Sequence, residues 1–225
     1  MGNFPLPKHG CSAMVTTFAE DLPLERIKLN TRVTKVAKEE EGVLVHSINQ
    51  EGETQVYLSQ KVICTLPLGL LKEKVVKFDP PLPSAHQHSI DSLGFGMMDK
   101  VFLAFEQPFW KEDVQRIKIA TLQSHGFSHF VNLSTSNSFI LCGFVFSEFW
   151  RKEQKQSGEQ IANLAVNALK SAFPNSEMKL KEFHVTDWAA NPFARGSWSY
   201  FTAPSTMKTN LKIREPVNGW LWFAG

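Results

Sequence analysis

Val62-Ile-Cys-Thr-Leu-Pro-Leu-Gly-Leu-Leu-Lys72, followed shortly by Phe78-Asp-Pro-Pro-Leu-Pro83, is the stretch whose reading decides the fold. Val62 to Leu66 is a continuous apolar run of the kind covered on both faces in a parallel sheet, and Pro67 terminates it. Pro80, Pro81 and Pro83 then hold the chain extended, because each proline fixes its own φ and pushes the residue before it out of the α region. A buried strand followed by an extended crossing reads as a passage between two domains.

Toward the N-terminus, Gly10 to Ala19 reads as a short helix. Extended segments follow at about Ile27–Lys38, Val43–Ile48 and Thr54–Leu58, the last two joined by the polar turn Asn49-Gln-Glu-Gly-Glu53. This half therefore predicts an antiparallel appendage beside a parallel sheet. Toward the C-terminus, Ser84 is placed to cap a short helix running to about Leu93 and ended by Gly94-Phe-Gly96. Strands are expected at Asp99–Glu106, Arg116–Leu122, Phe127–Leu133 and Phe139–Val145. Ser157-Gly-Glu-Gln160 is a capping box, and Ile161, Leu164, Ala165, Ala168, Leu169 and Ala172 recur at helical spacing until Phe173-Pro174. A strand over Lys179–Asp187 completes a mostly non-βαβ order, which argues an α+β domain. Trp220-Leu-Trp-Phe-Ala-Gly225 reads as a further buried strand.

With 225 residues, 43% of them hydrophobic and 12% aromatic, the chain can bury a substantial core as one domain or two small ones. A net charge of +2 projects no strong field toward nucleic acid or a membrane surface. Cys11, Cys64 and Cys142 show neither metal-ligand nor disulfide spacing and fit a reducing, intracellular setting. The sequon Asn132-Leu-Ser134 is a triplet common by chance. No apolar run approaches the roughly 18 residues needed to span a bilayer.

Motifs for catalysis are sparse: there is no phosphate loop, HExxH, CxxC or nucleophile elbow, and no metal site is expected. The seven histidines, His86 and His88 among them, are read as surface or packing residues. Two segments stand out. In Asp99-Lys-Val-Phe-Leu-Ala-Phe-Glu106, alternation sends Val101, Leu103 and Phe105 to one face and Lys100, Phe102 and Ala104 to the other. Taken alone, Lys100 is either an exposed edge charge or a cation at the mouth of an apolar cavity. In Trp188-Ala-Ala-Asn-Pro-Phe193-Ala-Arg-Gly-Ser-Trp198-Ser-Tyr200-Phe201, large rings alternate with the smallest residues. That pattern suits either core packing or the close approach of a flat ligand.

Four blocks, in order, carry a family resemblance: Thr65–Lys72 with Phe78–Pro83, Leu93–Trp110, Trp188–Tyr200 and Trp222–Gly225. Together they resemble the flavin-containing amine oxidases of the polyamine oxidase and lysine-specific histone demethylase kind. The resemblance implies an α/β plus α+β architecture: a partial FAD-binding domain of the dinucleotide type interleaved with a mixed-sheet substrate domain. On it, residues 1–71 and 188–225 belong to the FAD domain and 72–187 to the substrate domain. The Gly-rich pyrophosphate fingerprint and an acidic residue of the flavin site are expected outside this stretch, so an internal fragment inactive on its own is expected. FAD is the implied cofactor, and a small amine and molecular oxygen the implied partners. Carried over residue by residue, Lys100 is the catalytic lysine that holds a water near the flavin. Val33 meets the adenine end, and Thr65, Leu66 and Pro67 run along the cofactor. Trp188 lies beside the isoalloxazine, with Ala224 and Gly225 near the ribityl and phosphate region. Phe193 and Trp198 border the substrate; many relatives carry tyrosine in place of Trp198, which changes the amine's frame. A polyamine is the expected substrate. A methyl-lysine peptide, and a non-catalytic truncated remnant exposing Trp220 and Trp222, stand as alternatives.

Overall fold

The computed structural model describes residues 10–120, 126–135, 137–146 and 156–225. The last two residues of the strand expected over Arg116–Leu122 lie outside them. The chain divides into two units, residues 1–60 with 76–80, and residues 61–75 with 81–225.

In the first unit, helix α1 (Gly10–Glu20) precedes strands β1 (Arg32–Lys38), β2 (Val43–Ile48) and β3 (Thr54–Ser59). The hairpin is made as its polar turn requires: Asn49 accepts the Glu53 N–H through its side chain at 2.8 Å, and β2 and β3 pair from Ile48↔Thr54 to Val43↔Ser59. A later strand (Lys77–Asp79) returns to pair in parallel with β1, giving the strand order β3-β2-β1 and then this strand. Only the second half of the extended Ile27–Lys38 segment is a strand. Leu24–Arg26 forms a helical turn, and Asn30 adopts a left-handed φ of 52°, which ends any extension across it.

The second unit begins with β4 (Val62–Cys64) and the short helix α2 (Leu68–Lys72); the strand at Lys77–Asp79 is β5 in chain order. There follow α3 (Ser84–Ser92), β6 (Leu93–Gly96), β7 (Met98–Phe105), β8 (Arg116–Lys118), β9 (His129–Asn132) and β10 (Phe139–Phe146). Helix α4 (Gly158–Ala172), β11 (Leu180–Val185), β12 (Trp198–Phe201), α5 (Met207–Lys212) and β13 (Leu221–Phe223) complete it. Its largest sheet has the order β11-β7-β10-β9-β8, and neighbouring strands run antiparallel throughout.

This sheet is the fold's principal core, because β7 strictly alternates. Val101, Leu103 and Phe105 are buried with Leu141 and Val145 of β10 and with Ile161, Ala165 and Leu169 of α4. Each large side chain so buried contributes about 1.5–3 kcal/mol relative to exposure. The capping box at the start of α4 is complete: the Gln160 N–H donates to Ser157 Oγ at 3.2 Å, and the Ser157 N–H to Gln160 Oε1 at 2.7 Å.

Several local expectations need correction. Ser84 does not cap α3: Pro83 occupies the cap position, with no side-chain cap, and Ser84 is already helical. The helix is finished from its other end by Lys72, whose ammonium donates to the carbonyls of Ile90, Asp91 and Leu93 at 3.0, 2.9 and 2.7 Å. A cation there complements the helix's negative pole. Gly94 and Gly96 form a strand instead of only ending the helix, because β12 pairs with it from Trp198↔Gly96 to Phe201↔Leu93. The Val62–Leu66 run is covered on one face only among the described residues: Cys64 is buried while Ile63, on the opposite face of β4, is 68% exposed. Trp220 is also not a surface residue. It is 4% exposed, tucked into the turn that feeds β13, and Trp222 lies half-buried under the Lys61 ammonium at 5.5 Å.

Candidate active site

Two parallel strand ends make the floor of a cleft. β4 and β13 pair in register from Leu221↔Val62 to Phe223↔Cys64, and the Ala224 N–H extends the ladder to the Cys64 carbonyl at 2.9 Å. The chain beyond both strands stays close. A Cβ placed on Gly225 would lie 2.9 Å from the Leu66 carbonyl oxygen and 3.0 Å from that of Thr65, so a larger residue would have to push this backbone apart. Leu66, Phe223, Ala224 and Gly225 line a cleft of about 500 Å³, with Tyr200 and Arg214 on its other sides. That size is typical of a small-molecule or cofactor site.

The β6–β12 ribbon supplies the aromatic wall. Gly94 and Gly96 face Tyr200 and Trp198 across it and leave a floor without side chains, so the Tyr200 ring lies directly over Gly94. Trp198 stands on the same face, one strand period away, and is 60% exposed. The loop leading into β12 is closed by its own backbone: the Gly196 N–H donates to the Trp188 carbonyl at 3.1 Å, and Asn191 accepts from Phe193 through its side chain at 2.8 Å. Phe193 is the most exposed ring of this loop.

Lys100 occupies the face of the five-stranded sheet opposite α4. Its cross-strand neighbour is Phe144, and Phe102 beyond it pairs with Cys142 on one side and with His184 on the other. His129 stacks on Phe144 with ring centroids 5.1 Å apart. Burial and the cations of Arg116 and Lys118 hold the His129 imidazole below its ordinary pKa, favouring the neutral ring. Burial pushes the Cys142 thiol up to about 11, against the opposing pull of Lys100. Lys100 therefore shares its sheet face with Phe102, Phe144, Cys142 and His184.

The structure thus brings Leu66, Ala224 and Gly225 to one cleft, flanked by Thr65 and Pro67 in sequence. Trp188, Phe193 and Trp198 lie on the loop and ribbon of the aromatic wall. Val33 belongs to the first unit, on β1 at a register shift between Val33 and Lys35. Among the described residues, no cluster of histidine, cysteine, aspartate and glutamate is arranged to hold a metal, and no helix is long and apolar enough to cross a membrane.

Sequence reasoning missed Asp99. This carboxyl is fully buried; its Oδ1 accepts the Thr186 hydroxyl at 2.7 Å and the Trp188 N–H at 3.0 Å. Its partners lie 87 and 89 residues away, beyond the reach of any local pattern. The detectable signal was parity: Asp99 shares the buried phase of Val101 and Leu103. Tyr200 was likewise recognised only as part of a segment, and Arg214 carried no signal.

These features define a mixed α/β protein with a ligand-sized apolar cleft and a lysine-bearing sheet. The chain belongs to the flavin containing amine oxidoreductase family, whose model matches residues 2–225. It is 30% identical to polyamine oxidase 2 of Arabidopsis thaliana over 100% of this chain and 44% of that protein. It is 31% identical to a possible lysine-specific histone demethylase 1 of Drosophila melanogaster over 96% of this chain and 26% of that one. The chain thus spans less than half the length of these curated relatives. A solved structure of putrescine oxidase bound to putrescine shares the fold, with a TM-score of 0.79 at 22% identity, covering 96% of this chain and 47% of that one.

Proposed function

We propose that this chain is the part of an FAD-dependent amine oxidase that carries the catalytic lysine, the aromatic wall and one flank of the flavin cleft, and that the whole protein oxidises a C–N bond of a polyamine. The observation that carries the reading is the cleft beside the β4–β13 strand ends, where Leu66, Ala224 and Gly225 meet. Its size and largely apolar lining fit a cofactor-sized ligand. The same parallel pairing fits a single domain containing both Val62–Cys64 and Leu221–Phe223; the fuller assignment, residues 1–71 and 188–225 to the FAD domain and 72–187 to the substrate domain, follows the family resemblance. Val33 is assigned to the adenine end, and Thr65, Leu66, Pro67, Trp188, Ala224 and Gly225 to the rest of the cofactor.

When bound, FAD supplies the two-electron acceptor that amine oxidation needs, and molecular oxygen takes the electrons on to give hydrogen peroxide. The chain's own residues prepare the amine. Trp198 and Phe193 frame it with ring faces, which attract a cationic nitrogen and exclude water from a neutral one. Lys100 is assigned the role of holding a water molecule near the flavin, from the sheet face it shares with Phe102 and Phe144. The amine leaves as an imine, which water hydrolyses. The three free cysteines support an intracellular setting.

The test uses the complete protein with FAD bound. Spermine added without oxygen should bleach the flavin absorbance, and Lys100→Met should slow that bleaching by about a hundredfold, the scale of losing one proton-handling group. A flavoprotein left unbleached by millimolar polyamine would refute the polyamine reading. The similarity to a demethylase makes a methyl-lysine peptide the second substrate to try; bleaching by the peptide alone would establish that reading instead.

A further inference from the structure

Loop 188–197 is fastened at both ends to the four residues that precede Lys100. At its far end, the Ser197 N–H donates to the Gly96 carbonyl at 3.0 Å, and the Met98 N–H donates to Ser197 Oγ at 2.6 Å. At its near end the fastening is Asp99 Oδ1, which accepts the Trp188 N–H at 3.0 Å. Thr186 completes the near end. Its hydroxyl donates to Asp99 Oδ1 at 2.7 Å while accepting the Lys100 N–H at 2.9 Å. The Thr186 N–H donates in turn to the Lys100 carbonyl at 3.0 Å. One carboxyl oxygen therefore ties the backbone of Trp188 and, through Thr186, the backbone of Lys100.

The other oxygen is the informative one. Asp99 Oδ2 is buried and has no hydrogen-bond partner among the described residues. Leaving that oxygen unsatisfied costs about 1–3 kcal/mol, which the two hydrogen bonds accepted by Oδ1 offset. Among the described residues, only the acceptor at Oδ1 is engaged.

We propose that Asp99 is a positioning residue of the oxidase reaction: a single-oxygen acceptor that sets Trp188 and Lys100 in register with each other. The inference rests on the function proposed above for those two residues. It assigns Asp99 no contact with substrate or cofactor. Because only Oδ1 is used, asparagine should serve in its place, whereas alanine should release the loop's near end. Thr186→Val should act in the same direction as alanine but more weakly, since it leaves the Trp188 bond intact.

The experiment compares Asp99→Ala, Asp99→Asn and Thr186→Val in the complete flavin-bound protein by two readouts. The first is amide hydrogen exchange of the peptide containing Trp188, which needs no activity. Alanine should raise exchange of the Trp188 amide by about tenfold, the scale of one lost hydrogen bond, and asparagine should restore it. The second is the limiting rate of anaerobic flavin reduction. Alanine should lower it by about tenfold or more with little change in the amine's dissociation constant, as expected when reacting groups are misplaced but binding persists. Unchanged Trp188 exchange in the alanine variant would overturn the proposal, and so would an asparagine variant as impaired as alanine. If alanine does not fold, near-wild-type behaviour of asparagine with intermediate loss in Thr186→Val supports the proposal, and failure of asparagine overturns it. A wild-type protein that reduces no flavin with any amine, yet shows this exchange pattern, would refute the proposed function and leave the clamp standing.

Discussion

Replacing Gly69 with alanine sets two well-calibrated effects against each other. Gly69 is the second residue of α2, and by helix propensity alone alanine there should stabilise by about 1 kcal/mol. The packing argues the reverse. An added Cβ would fall well inside contact distance of the Ala194 carbonyl oxygen, 2.8 Å from Arg195 Cβ and 2.9 Å from the Phe95 ring. Two of those obstacles are main chain or attached directly to it, in a loop that cannot slide. Arg195 has a left-handed φ of 60°, and the amides of Ala194 and Arg195 are both bonded to the Asn191 carbonyl, at 3.1 and 3.0 Å. Overpacking costs about 1–3 kcal/mol, and a clash with main chain falls in the upper part of that range, about 2–3 kcal/mol, so net destabilisation of about 1–2 kcal/mol is expected. For a domain of this size each kcal/mol lowers the melting temperature by about 2–4 °C. Gly158→Ala is the matched control. It too lies in the first turn of a helix, but its added Cβ would meet Phe183 at 3.6 Å and Val185 at 3.9 Å, which is ordinary contact. Thermal melts followed by tryptophan fluorescence and circular dichroism should show Gly69→Ala falling and Gly158→Ala unchanged or rising. A Gly69→Ala protein as stable as the parent would refute the claim that the aromatic loop rests on α2.

Three further outcomes are expected. Ser157→Ala should cost about 1 kcal/mol by removing the acceptor of the Gln160 N–H, measurable by denaturant titration of the α4 helical signal; no loss would show that the capping box carries no stability. A thiol reagent at pH 8 should label exposed Cys11 in the native protein while sparing Cys142, whose thiol burial pushes up to about 11, and buried Cys64, whose thiol desolvation also raises; rapid native labelling of Cys142 would contradict its burial. Burial also raises the Asp99 carboxyl above its ordinary range, outweighing the Thr186 and Trp188 bonds that lower it, with the neighbouring charge of Asp187 adding to the rise. A raised folded-state pKa contributes stability that is fully present below the unfolded value and is lost as pH rises through the folded one. Asp99→Asn should therefore gain on the parent as pH climbs above the ordinary aspartate range, and melts showing the gap widening toward acid would refute this.

What the sequence disclosed follows the range of the forces involved. The capping box of α4, the β2–β3 hairpin and the alternation of β7 were legible because their determinants lie within a few residues of one another. The placement of Lys100 away from the core followed from that alternation. The pairing of β6 with β12 was not legible, since Gly94 and Gly96 advertise a turn until the strand carrying Trp198 and Tyr200 lies across them from about a hundred residues away. Helix α2 was hidden for the converse reason. Pro67 does end a strand, but a proline at that point also presents its fixed φ to a helix start, and local sequence cannot decide between the two. The finish of α3 by Lys72 depends on tertiary placement and left no local trace.

Asp99 marks the point where the two kinds of information meet. Positions 99, 101, 103 and 105 share one face of β7, and three of the four are apolar because α4 and β10 cover them. A carboxylate in that series breaks the binary pattern, and such breaks concentrate where function constrains the chain. The cover explains why it is tolerated here. Over Asp99 the strand meets the loop of Thr186 and Trp188 instead of α4's apolar face, and that loop brings a hydroxyl and an amide of its own. A leucine in this place would strand both donors, each at a cost of about 1–3 kcal/mol. One position thus ends the apolar core and begins the polar framework of the site, and Lys100 is the next residue along the strand.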